Sequence, residues 1–226
     1  MKKMTALLLS AALLCPTLAL AEDTVKIGIF EPMTGATAAG GSMEKEGFDL
    51  ANELYPDVLG QKIELVYGDN KSDRAEATLA AQSLVDKGVV AVLGSYGSGL
   101  SMAGGEVFAE SEIPALTATA TNPTVTLDCE WYARICFIDP FQGTMLARYA
   151  VKNDYKKIAI MREKDSEYAV GLVKYFQDEI ATHDGFEVVE LCDFMNKDED
   201  FSALLGAVLA QSPDVIFTSV SYADKA

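Results

Sequence analysis

A chain of 226 residues with 34 acidic against 18 basic side chains and a single histidine carries a formal charge of −16. So acidic a surface repels nucleic acid and anionic lipid, and no basic stripe offsets it. Half of the residues are apolar, enough for a sizeable core, and the length suits one large domain or two smaller lobes.

The first residues read as an export leader. Lys2 and Lys3 precede an almost unbroken apolar run over 4–14, and Ala19-Leu20-Ala21 forms an A-x-A cleavage site before Glu22. The run is too short for a membrane span, which takes about 20 apolar residues. Leu14 stands where a lipoprotein would carry a small residue, just before Cys15. Cleavage of residues 1–21 leaves 16 basic against 34 acidic residues, a mature charge of −18, on an exported chain.

The mature chain repeats one phrase: an apolar strand, a small-residue loop, a helix. A strand over 25–30 is stopped by Pro32, and a Gly/Ala/Thr loop over 33–41 leads to a helix with Met43, Phe48, Ala51 and Leu54 on one face. A strand over 63–67 follows. Asp73 with Glu76 three residues on then forms a capping-box-like helix start, closed by Lys87-Gly88. The run 89–93 is short and β-branched, as in a strand covered on both faces. A Gly/Ser loop, a small-residue helix and a strand over 113–116 come next. After an irregular stretch over 121–139, the phrase resumes with helices over 141–152 and 168–182 and strands over 158–161, 186–191 and 215–220. Such alternation with short loops predicts parallel, doubly wound α/β sheets.

Two loops stand out. Gly94-Ser95-Tyr96-Gly97-Ser98-Gly99 and Thr117-Ala118-Thr119-Ala120-Thr121-Asn122-Pro123 are rich in hydroxyls and backbone N–H groups, and in this architecture they lie beyond the carboxyl ends of strands, where ligands bind. They carry almost nothing that serves as nucleophile, base or metal ligand. Cys129 and Cys136 flank six residues and can bridge in an oxidising compartment, for about 2–3 kcal/mol in the chain-entropy model. Cys192, in an alternating strand pattern, reads as a buried thiol. Metal ligation is the weaker reading of all three, because His183 lies far away in an Asp/Gly turn.

Several phrases, taken in order, resemble the periplasmic substrate-binding proteins of ABC importers for branched-chain amino acids. They are Ile27-Gly28-Ile29 leading to Pro32-Met33-Thr34-Gly35, Leu65-Val66-Tyr67-Gly68-Asp69-Asn70, and Val85-Asp86-Lys87-Gly88 running on to Gly94. Further on come Ile113-Pro114 leading to Ala120-Thr121-Asn122-Pro123, then Asp139 with Gln142-Gly143, Asp200-Phe201-Ser202-Ala203-Leu204, and Pro213-Asp214-Val215-Ile216. The resemblance implies a two-lobed type I periplasmic binding fold whose lobes close over a ligand. Residues 22–138 would form the first lobe and 139–226 part of the second.

By that resemblance Ser98 offers its hydroxyl and a helix N-terminus to an α-carboxylate, an ordinary helix cap being the plainer alternative. Thr119 and Thr121 match positions that offer a backbone carbonyl and a hydroxyl to the ligand's ammonium and carboxylate, or else only brace their loop. Tyr168 and Tyr222 match tyrosines that close over the ligand. Gly40 departs from the aromatic many relatives place there, so the pocket is expected to be roomier or differently capped. The family continues beyond the position of Ala226, so the sequence reads as a fragment or a shortened copy, incomplete at its C-terminus.

The leading expectation is therefore a monomeric binding protein without cofactor or metal, handing an amino acid or similar small polar solute to an ABC permease. A sensor built on the same domain is the alternative. An enzyme on this scaffold is disfavoured: there is no P-loop lysine motif, Ser98 lacks the G-x-S-x-G frame, and one histidine in a turn does not make a triad.

Overall fold

The computed structural model describes residues 24–220, so the expected leader and Tyr222 lie outside the described residues. Two α/β lobes follow one another along the chain. The first contains β1 (Val25–Glu31), α1 (Ala38–Leu54), β2 (Asp57–Val58), β3 (Gln61–Asp69), α2 (Arg74–Asp86), β4 (Ala91–Leu93), α3 (Ser98–Glu110), β5 (Ala115–Thr117) and β6 (Tyr132–Arg134). Its sheet order is β2-β3-β1-β4-β5-β6, parallel except for the β2–β3 pair. The second contains α4 (Asp139–Lys152), β7 (Lys157–Glu163), α5 (Glu167–Ile180), β8 (Glu187–Phe194), α6 (Ser202–Ala210) and β9 (Val215–Ser219), with parallel order β8-β7-β9.

The apolar patterns explain where each element goes. β1 pairs on both sides, Ile29 lying beside Tyr67 of β3 and Leu93 of β4, so Ile29 and Phe30 are wholly buried. Phe30 meets Phe108 of α3 edge-on, with centroids 5.4 Å apart. The approach of α3 depends on Gly104, whose hydrogen faces the Phe30 ring. In the second lobe, β7 is the central strand, and Ile158 and Ile160 lie under Val173 and Phe176 of α5. Phe176 stacks on Phe217 of β9 at 4.2 Å. Each of these large side chains contributes about 1.5–3 kcal/mol by leaving water.

Asp73 caps α2, accepting from the amides of Ala75 at 2.8 Å and Glu76 at 3.0 Å, as the sequence predicts. Two elements lack a sequence signal. β2 is a two-residue strand folded onto β3 by Leu59-Gly60, both left-handed, the conformation a tight hairpin demands. β6 rises out of the irregular stretch and pairs with β5 over three residues only. Helix α1 starts earlier than its apolar periodicity suggests, at Ala38, because Gly40 and Gly41 let its first turn lie against Pro32 and Tyr96.

The expected Cys129–Cys136 bridge is corrected: both are free thiols, as is Cys192. The physical reason is β6, an extended strand between them. Cys129 precedes it, packed against the first core, and Cys136 follows it, with its thiol 3.6 Å from the Ala120 carbonyl. The strand and the separate packing of its two flanks give the thiols different neighbours instead of each other.

Candidate functional site

The site begins with three loops at the carboxyl end of the first sheet. The loop after β1 is clamped by Asp69, at the end of β3. Its carboxylate accepts from the Met33 amide at 2.9 Å, the Thr34 amide at 3.2 Å and the Thr34 hydroxyl at 2.7 Å. Although partial burial opposes it, these bonds hold Asp69 below its ordinary value. Ser72 extends the clamp, its hydroxyl donating to Thr34 O and accepting from the Thr37 amide and hydroxyl.

The loop between β4 and α3 turns on Gly94, whose φ of +114° and contact with the Phe30 carbonyl leave no room for a side chain. Helix α3 starts behind Gly97 with no capping side chain. Ser98 is its first residue, 2 % exposed, and its Oγ accepts from the Asn122 amide at 3.2 Å. The Ser98 hydroxyl proton is thus left to point at whatever occupies the site.

The third loop, after β5, carries Thr119 and Thr121. Arg134 of β6 staples it: the guanidinium donates to the carbonyls of Ala120 (2.6 Å), Asn122 (2.9 Å) and Pro123 (3.1 Å) and to the Thr126 hydroxyl (2.8 Å). Beneath it, the buried Thr117 hydroxyl accepts from the Ala120 amide at 3.0 Å and donates to Ser95 O at 3.1 Å.

These loops and the second lobe enclose a cavity of about 400 Å³. Thr37, Tyr96, Ser98, Thr119 and Thr121 line it from the first lobe; Gln142, Ser166 and Tyr168 line it from the second, with Cys136 and Phe137 between. The structure thus brings together Ser98, Thr119, Thr121 and Tyr168. Tyr168 accepts from Gln142 Nε2 at 3.3 Å, and burial pushes its hydroxyl pKa up, so it stays a neutral donor. Gly40 is overlain by an aromatic from another place: an added Cβ would stand 2.5 Å from the Tyr96 ring. The wall is capped by the β4–α3 loop instead of by α1.

Burial pushes the Cys136 thiol up, the reverse of an activated nucleophile, and His183 pairs with Glu179 at the far end of α5. No metal-holding cluster of His, Cys, Asp or Glu occurs among the described residues. Three acids stand just behind the lining. Glu31, ending β1, is wholly buried; its Oε2 accepts from the Tyr96 amide at 2.7 Å. Glu44 of α1 accepts from the Thr119 hydroxyl on Oε1, and its carboxyl and that of Glu31 act on each other's protonation. Burial, then the charge of Glu44, pushes Glu31 up to about 10. Asp139, first in α4, has no well-formed bond to either carboxylate oxygen, and burial raises it to about 6 against the pull of Thr121 and Arg134.

Reasoning from sequence missed Arg134, Tyr96 and the Glu31–Glu44 pair. The one signal for the pair was an acid closing an otherwise apolar strand, Phe30-Glu31-Pro32.

The profile of the family described as "Periplasmic binding protein" matches residues 24–225. The chain belongs to this family. It is 31% identical over 223 residues to the Leu/Ile/Val-binding protein BraC3 of Rhizobium johnstonii, a match covering 96% of this chain and 59% of that protein. An amino acid binding protein of Pseudomonas aeruginosa is also 31% identical, over 96% of this chain and 58% of its own length. Among solved structures, the leucine-binding protein LivK of Thermotoga maritima superposes with a TM-score of 0.81 at 36% identity, covering 86% of this chain and 55% of LivK. A solute-binding protein of an ABC transporter from R. palustris, in complex with 4-hydroxybenzoate, gives a TM-score of 0.81 at 26% identity, covering 88% of this chain and 54% of its own. The chain thus spans a little over half the length of these relatives. They are solute-binding proteins of the type I periplasmic fold, and this chain shares that architecture.

Proposed function

We propose that this protein is an extracytoplasmic solute-binding protein that captures an amino acid, branched-chain or related, and delivers it to an ABC permease. The observation that carries the reading is Ser98. It begins an α-helix without a capping side chain, its Oγ accepts from the Asn122 amide, and it lines a cavity together with Thr119, Thr121 and Tyr168. Such an end suits a carboxylate, which meets aligned N–H groups and the positive end of the helix dipole. Binding needs no bond-making: solute joins the two walls and shifts the lobes toward their closed arrangement. The leader-like pattern of residues 1–21 and the periplasmic binding protein family support a site of action outside the cytoplasmic membrane.

An aromatic carboxylate is the second reading. Tyr96, Phe137 and Tyr168 give the cavity three aromatic walls, and the 4-hydroxybenzoate complex belongs to a relative of this fold. A thermal-shift panel of branched-chain amino acids, their amides and hydroxylated benzoates separates the two. A ligand at a hundred times its Kd stabilises by about 2.7 kcal/mol, several degrees for a chain of this size. Ser98→Ala should weaken the responding carboxylate about tenfold or more and leave an amide less affected. No response to any carboxylate at millimolar concentration would overturn the proposal.

A further inference from the structure

We propose that Glu31 and Glu44 hold one proton between them and, through the Thr119 hydroxyl, fix the polarity of the cavity wall so that the solute must present an N–H or O–H donor beside Thr119. The proposal deepens the reading of this cavity as a solute site and rests on it.

A hydroxyl has one proton to give and two lone pairs to offer. Thr119 gives its proton to Glu44 Oε1, behind the wall, so toward the cavity it can only accept. Ser98, across the same wall, differs: its oxygen accepts from Asn122 and its proton is not spent on that bond, so toward the cavity it can donate. One wall therefore carries a donor pole at Ser98 and an acceptor pole at Thr119, with Glu44's charge behind the acceptor.

The pair itself explains why Glu44 stays in place. Glu31 Oε1 and Glu44 Oε2 are buried and receive no donor from the rest of the described residues. Two ionised carboxyls side by side out of water repel, and among the described residues no lysine or arginine is a cause of either one's shift. One proton joining the two left-over oxygens removes the repulsion and satisfies both. The other ionisable groups that feel the pair are Tyr96 from the β4–α3 loop, Tyr132 from β6 and Cys136 after it, with Glu163 of β7 acting on Tyr96. Burial raises all three of Tyr96, Tyr132 and Cys136, so each is neutral at ordinary pH and the pair keeps a single negative charge.

Two measurements test this. At about pH 8, where an ordinary glutamate is ionised, infrared spectra of protein carrying 13C-labelled glutamate should show a protonated carboxyl band that disappears in Glu31→Gln. A wild-type protein without the band, or a band that survives in E31Q, overturns the shared proton whatever the solute proves to be. The second measurement compares solutes differing by one donor: L-leucine against 4-methylpentanoate, and 4-hydroxybenzoate against benzoate. Within the pair that binds, the donor-bearing member should be favoured about tenfold or more. Glu44→Leu, which releases the Thr119 proton toward the cavity, should cut that preference about tenfold, whereas Glu44→Gln, whose amide oxygen still accepts, should keep most of it. An unchanged preference in E44L overturns the polarity assignment. Binding of the aromatic pair alone moves the solute class of the proposed function and leaves the donor rule to be read on that pair. Binding of none of the four overturns both.

Discussion

Glu31 and Asp69 end neighbouring strands of one sheet, and their surroundings push them in opposite directions. Glu31, deprived of water and facing Glu44, keeps its proton in the folded chain after the unfolded chain has lost it. The stability it contributes is complete below the ordinary value of 4.5 and is lost as pH rises toward about 10. Asp69 is held below 3.8 by the bonds of its clamp, so its contribution is present above that value and is lost as acid passes through the lowered one. Urea denaturation from about pH 6 to about pH 9 should therefore show wild-type stability falling, by at most about 1.4 kcal/mol per unit for this one group. Glu31→Gln should flatten that fall; equal slopes would remove Glu31 as its source.

Helix α3 shows what sequence made legible and what it hid. Its small-residue composition and the β-branched run before it are enough to place a buried strand, a Gly/Ser loop and a helix in that order, and Ser98 at the helix's start follows from them. What each small residue faces does not follow. Gly104 sits under Phe30, and Gly105 faces the Tyr132 ring, contacts made by residues far apart in the chain. Arg134 was hidden for the same reason: all but one of its partners are backbone carbonyls, which carry no residue code, and β6 is too short to show a period. The cysteine spacing misled because it said nothing of the strand between. Paired glycine substitutions make the point measurable. Gly104→Ala gains about 1 kcal/mol of helix propensity but puts a methyl 2.5 Å from a buried ring. Overpacking of that kind costs about 1–3 kcal/mol, so its midpoint should fall. Gly206→Ala, inside α6 with nothing within 4 Å, should stabilise by about 0.5–1 kcal/mol. Chemical denaturation of both variants reads the sign directly.

Across the molecule, the two lobes meet at Glu167, the first residue of α5. Its carboxylate pairs with Arg74 at the start of α2 and lies against Gly99 in the first turn of α3, while its carbonyl accepts from Asn122 Nδ2 at 2.8 Å. The ion pair is partly exposed and worth about 0.2–1 kcal/mol, too little to hold the lobes together but enough to bias their closure up to about fivefold. Gly99→Ala should displace the flexible Glu167 side chain and break the pair and, on the proposed function, speed solute release up to about fivefold, with little change in the unfolding midpoint. Stopped-flow release and small-angle scattering of the free protein check this; an unaltered release rate would show that the clasp does not govern closure. A last consequence lies in the start of α3. A helix whose own chain supplies no cap completes its first turn only with what arrives from outside. On the proposed function, a bound carboxylate then acts as a structural part of this buried turn. On that reading, bound solute should slow proteolysis of the protein, so that its lifetime would follow the supply of solute.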